Sequence, residues 1–215
     1  MFQNGPLKML SSNVVLKQAR TDLKHPDPKI RIMAIRYLGH CGPSIAIPLL
    51  QEMLSDPNPD VRSEGLYSLI KFEDPSVSTL LRKHLKDTDP QVRITALRGI
   101  FKHGEQIDLN LLLQFLSDES PLVRRKVATL LGWARMEGVL PILAELSKDE
   151  DPQVRKAALS SLHSLYPEES EDRMLEAMTD RDPHLRKWAK EVLEKIAASP
   201  LRSAVAYQHR EGKDV

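Results

Sequence analysis

The sequence predicts an all-α solenoid of six two-helix repeats, each 31 residues long, and three observations predict it. First, proline recurs at a strict interval: Pro28, Pro59, Pro90, Pro121, Pro152 and Pro183 are each 31 residues apart. Second, arginine keeps that register at Arg31, Arg62, Arg93, Arg124, Arg155 and Arg186. Third, apolar residues hold fixed offsets from the arginine. The position before it is Ile30, Val61, Val92, Val123, Val154 or Leu185, and seven after it stand Leu38, Leu69, Ile100, Leu131, Leu162 and Leu193. Five successive intervals without insertion exclude coincidence, and a period of this size marks a stacked repeat protein.

The repeat is plainest in DTDPQVRITALRGI, from Asp87 to Ile100. Asp89 can accept from the free N–H groups of a first helical turn. Pro90 suits the first helical position, where no N–H is needed. Val92, Ala96, Leu97 and Ile100 share one helical face. The same reading places the second helix of each repeat at about 28–40, 59–72, 90–103, 121–135, 152–165 and 183–197. A first helix precedes each, at about 11–24, 44–55, 76–86, 107–117, 138–147 and 170–179. Its apolar positions are Ala19 and Leu23, Ile47 with Leu50 and Leu54, Leu81 and Leu85, and Leu112 and Leu116, continued by Leu143 and Met174. A spacing of four puts each pair on one side of a helix. Pro48 and Pro141 share a position near the start of this helix, where proline is tolerated. Gly42, Gly104 and Gly138 lie between repeats, where helix ends need a permissive backbone. Residues 1–10 read as an N-terminal extension, 11–197 as the repeat domain, and 198–215, which lose the pattern, as a flexible tail or partial cap.

Composition narrows the class. The chain has 215 residues and a formal net charge of +1, so it is no polyelectrolyte binder as a whole, and any charge effect must come from distribution. Few aromatics and many charged residues suit a core of Leu, Ile, Val and Ala. Cys41 is the single cysteine, which excludes an intrachain disulfide and fits a reducing cytoplasm. The first ten residues, MFQNGPLKML, lack the apolar run of a secretion signal, and no stretch approaches the length that spans a bilayer. The expected setting is cytoplasmic.

At the residues Asp87, Asp89, Pro90, Val92, Arg93, Ala96 and Ile100 the chain resembles a HEAT-repeat protein, with a period like the compact repeats of phycobilisome lyases. The resemblance covers about residues 11–197 and implies a right-handed α–α superhelix. It also implies a ladder between turns, in which the repeat arginines listed above pair with Asp56, Asp87, Asp118, Asp149 and Asp180. His25 stands in the aspartate's place in the first repeat. These residues read as structural, with exposed pairs worth about 0–1 kcal/mol each. Lys190, in place of an apolar residue, marks an outward-facing last helix.

The resemblance further implies that the second helices line a concave surface, where solenoids bind partners. At about 100° per residue, the side opposite the core holds the residues two, five and nine after each arginine. These are Met33, Arg36 and His40; Glu64, Tyr67 and Lys71; Thr95, Arg98 and Lys102; Lys126, Thr129 and Trp133; Ala157, Ser160 and Ser164; and Trp188, Glu191 and Lys195. Arg125, Lys156 and Lys187 flank them. Arg36, Tyr67, Lys71, Arg98, Lys102, Lys126 and Trp133 are the candidate partner-binding residues, since large aromatics are enriched at binding hot spots. Trp188 reads more readily as a cover for the end of the core.

The residues point to no catalytic set, no cofactor and no metal. No two histidines stand at ligand spacing on a helix, no phosphate-binding glycine loop occurs, and His40 beside Cys41 cannot face it on a helix. The absence of a His-Glu dipeptide argues against the di-iron hydroxylase branch of the resembled family. The expectation is a non-enzymatic scaffold that binds an acidic peptide or protein surface. A bilin lyase-like subunit is the alternative, and a nucleic-acid-binding protein a lesser one.

Overall fold

Five of the six repeat turns start a helix because an aspartate or asparagine side chain takes up the first free N–H groups; at the sixth, Ser120 makes no such bond. In a computed structural model, which describes residues 6–103 and 109–198 (side chains from residue 14), Asp27, Asn58, Asp89, Asp151 and Asp182 all cap in this way, and a proline follows each. Gly104, the residues 107 and 108 of one predicted first helix, and the tail from 199 lie outside the described residues.

The helices group into two compact units. The first, Met1–Asp108, holds α1 (Pro6–Asp22), α2 (Pro28–Leu38), α3 (Pro43–Met53), α4 (Pro59–Leu69), α5 (Pro75–Lys83) and α6 (Pro90–Lys102). The second, Leu109–Val215, holds α7 (Leu109–Leu113), α8 (Pro121–Ala134), α9 (Val139–Leu146), α10 (Pro152–Leu165), α11 (Pro167–Ala177) and α12 (Pro183–Ala197). These are stacked helix pairs of a HEAT-like solenoid. Within the first unit α4 packs against α2, α3 and α6; within the second α10 packs against α8, α9 and α11.

The core follows the repeat offsets. Ala34, Ile35 and Leu38, Val61, Leu66 and Leu69, and Val92, Ala96, Leu97 and Ile100 are buried in the first unit. Val123, Val127 and Leu131, and Val154, Ala158 and Leu162 are their counterparts in the second. The first helices meet them with Ala19, Leu50, Leu81, Leu112, Leu143 and Met174. The core of the last pair gathers Leu159, Met174, Ala177, Leu185 and Ala189, with Trp188 packed against it.

Three local readings need correction. α1 begins at Pro6, so five residues of the expected extension are helical. Pro48 lies a turn deep in α3, not at its start, because Pro43 already opens that helix. Its missing N–H leaves the bond to the Ser44 carbonyl unmade. Of the two described inter-repeat glycines, Gly138 alone needs its freedom: its φ is +79°, where Gly42 is ordinary at −63°.

Candidate partner-binding face

The second helices are held by their turns, and the turn works through one arginine and, after the first repeat, one aspartate. Arg62 shows the pattern. Its Nη1 donates to the Asp56 carbonyl of its own turn at 2.9 Å, while Nε and Nη2 donate to Asp87 of the next turn at 2.9 and 2.6 Å. Asp87 Oδ1 also accepts from the Asp89 N–H at 2.9 Å. The bidentate pairs Arg31–Asp56, Arg124–Asp149 and Arg155–Asp180 repeat this geometry. Arg93 and Arg186 donate in the same way to the carbonyls of Asp87 and Asp180, and the Asp118 carboxylate accepts from the Ser120 N–H.

These pairs are not exposed, which corrects their expected small value. Their side chains keep only 5% to 14% of their accessible surface. A buried, hydrogen-bonded pair is costly to break because it leaves one charge stranded. Burial acts to raise the carboxyls of Asp87, Asp149 and Asp180. The hydrogen bonds from arginine and from a backbone N–H outweigh it and hold all three below the ordinary carboxylate range. His25 keeps half of the aspartate's role: its Nδ1 accepts from the Asp27 N–H at 3.0 Å, and its carbonyl accepts from Arg31 at 2.7 Å.

With the turns fixed, one side of each second helix faces outward. In the first unit Met33 is 68% exposed and Tyr67 50%, and Arg36, His40, Lys71, Arg98 and Lys102 are exposed beside them. Thr95 departs from the expected stripe at 5% exposure: its hydroxyl bonds the Gln91 carbonyl and the Ser63 hydroxyl between α4 and α6. Arg36 is not a lone charge either. It donates to Glu64 at 3.0 Å, and that bond raises its pKa. The Lys71 ammonium lies 5.6 Å from the centre of the Tyr67 ring. A cleft of about 440 Å³ beside Lys71 and Lys102 is also lined by Glu73, Asp74, Ser78 and His103.

In the second unit Trp133 is 61% exposed, and Lys126, on the same helix, places its ammonium 5.1 Å from the indole centre. Lys156 of α10 lies 5.4 Å from the centre of Trp188 on α12. These are cation–π contacts, attractive because the ring face is negative. The sequence reading passed over the last pair. The signal was present: the two residues are 32 apart, one period plus one, so they meet across neighbouring second helices. Tyr67 and Lys71, four apart, were legible as helix neighbours.

His84, also unremarked in the sequence, is buried. Its Nδ1 lies 2.8 Å from the Leu80 carbonyl and its Nε2 3.2 Å from the Leu54 carbonyl, so it ties one repeat to the previous one. Among the described residues no helix is long and apolar enough to cross a membrane.

Comparison with known proteins agrees with this frame. Among solved structures the chain is similar to the complex of CpcE and CpcF of phycocyanin lyase from Nostoc sp. PCC7120, with a TM-score of 0.55 and 19% identity over 88% of this chain and 77% of that one. It is also similar to an engineered protein of the Northeast Structural Genomics Consortium, with a TM-score of 0.51 and 19% identity over 86% and 99% of the two chains. At such identities the likeness is one of fold. No curated protein matches the chain. The family model described as HEAT repeats matches residues 15–100, 79–163 and 141–208. Those matches run through nearly every turn built on the arginine–aspartate bridge, and the chain belongs to the HEAT-repeat family.

Proposed function

We propose that the protein is a non-enzymatic scaffold of the cytoplasm that binds an acidic peptide or protein surface through the outward faces of its second helices. One observation carries the reading: on these faces exposed aromatic rings sit under lysine ammonium groups, among further exposed cations. Arg36, Tyr67, Lys71, Arg98 and Lys102 supply the face in the first unit, and Lys126 and Trp133 in the second. Positive charge speeds the encounter and selects the partner. The rings give it apolar area to bury, at little cost in side-chain entropy. The arginine–aspartate bridges then serve as the frame.

The test is a fluorescein-labelled polyglutamate peptide, followed by anisotropy. Reversing Arg36, Arg98 and Lys102 to glutamate is expected to weaken binding by about tenfold or more, with helicity unchanged. Undiminished binding by the triple variant sinks the reading for that face. The likeness in fold to a phycocyanin lyase subunit favours a second reading, in which the same cations hold the propionates of a bilin. A visible spectrum of phycocyanobilin that does not change on mixing ends it.

A further inference from the structure

The second unit holds an arrangement that the general reading leaves unused. Trp133 on α8 and Trp188 on α12 each carry a lysine ammonium over the ring, from Lys126 and Lys156. Between the two indoles runs α10, whose outward positions are Ala157, Ser160 and Ser164; both serines are exposed. The strip between the two aromatic anchors is thus low and hydroxyl-bearing. Of the outward positions on these three helices only Glu191 is acidic, and it lies 3.9 Å from Lys187.

A ring beneath an ammonium offers a ligand apolar surface and positive charge at one spot. A ligand that carries carboxylates alone uses half of that, and a purely apolar one uses the other half. The matching group is an aromatic side chain with a carboxylate next to it. The spacing of the anchors sets the rest. Trp133 lies nine residues after its repeat arginine and Trp188 two after its own. With α8 and α10 packed at roughly 8–10 Å between axes, α12 at least as far beyond α10, and a rise of about 1.5 Å per residue, the two indoles stand on the order of 20 Å apart. An extended chain covers about 3.3 Å per residue, so about six residues bridge them. The hydroxyls of Ser160 and Ser164 suit such a chain, because extended backbone leaves its N–H and C=O groups open.

We infer that the α8–α10–α12 face docks an extended acidic peptide bearing two aromatic side chains about six residues apart, each beside a carboxylate. The inference rests on the acidic-partner reading above and adds the anchors and their spacing. It is tested with three labelled peptides of equal charge: one with two phenylalanines six residues apart among glutamates, one with serine at both positions, and one with the phenylalanines about twelve apart. The first is expected to bind about tenfold tighter than the other two and to shift the indole emission of the protein. Trp133→Ala, which removes an exposed side chain, is expected to erase that advantage; Lys156→Glu is expected to weaken all three peptides. Equal binding of the serine peptide overturns this inference and leaves the acidic-partner reading standing. Failure of every peptide overturns both. Equal binding at the longer spacing overturns the two-anchor geometry. Tighter binding of a single-stranded oligonucleotide, lost steeply with salt, overturns the choice of a peptide.

Discussion

At the scale of single residues, the aspartate side chains Asp56, Asp87, Asp149 and Asp180 each do two jobs. Asp149 Oδ1 accepts the N–H of Asp151 and, with Oδ2, the guanidinium of Arg124, so the same carboxylate shapes one turn and ties it to the turn before. The folded pKa of such a group lies below its unfolded value of about 3.9. Its stabilisation is therefore complete above that value and is lost as pH falls through the folded one. Chemical denaturation of Asp149→Asn is expected to show a loss of roughly 1–3 kcal/mol at neutral pH, and the gap to the wild type should close below about pH 4. A gap that stays constant into acid means the charge of Asp149 does not matter. The identity of this residue was legible from the period alone. Its near burial was not, because the guanidinium that covers it comes from Arg124 of the repeat before.

At the scale of helices, close approach is set by absent side chains. A Cβ on Gly132 of α8 meets the Ser161 Cβ of α10 at 2.7 Å, and Ser161 is itself tied by its hydroxyl to the Ala128 carbonyl at 2.9 Å. Gly132→Ala is expected to cost about 1–3 kcal/mol in thermal or chemical unfolding, and Ser161→Gly in the same chain should recover part of that loss. An alanine variant as stable as the parent means the two helices yield without cost. Helix positions were readable from sequence because caps and prolines are local. Pro48 was misplaced for the same reason: both it and Pro43 fit a first turn, and only packing decides between them. Thr95 was misplaced because phase treats a helix as isolated, whereas a neighbouring helix covers that position and supplies Ser63.

At the scale of the whole chain, the period was fully legible and the make-up of the outward faces only in part. The outward set Arg36, Tyr67, Lys71, Arg98, Lys102 and Trp133, all exposed, and the half-buried Lys126 came from phase. The neutralisation of Arg36 by Glu64 and the pairing of Lys156 with Trp188 join different helices, so they needed the fold. The central claim is that partners meet the second helices and the first helices serve as backing. Hydrogen exchange with and without saturating polyglutamate peptide tests it most directly. Slower exchange is predicted in α4, α6, α8 and α10, with α3, α5, α9 and α11 unchanged. Protection confined to the first helices would contradict the account.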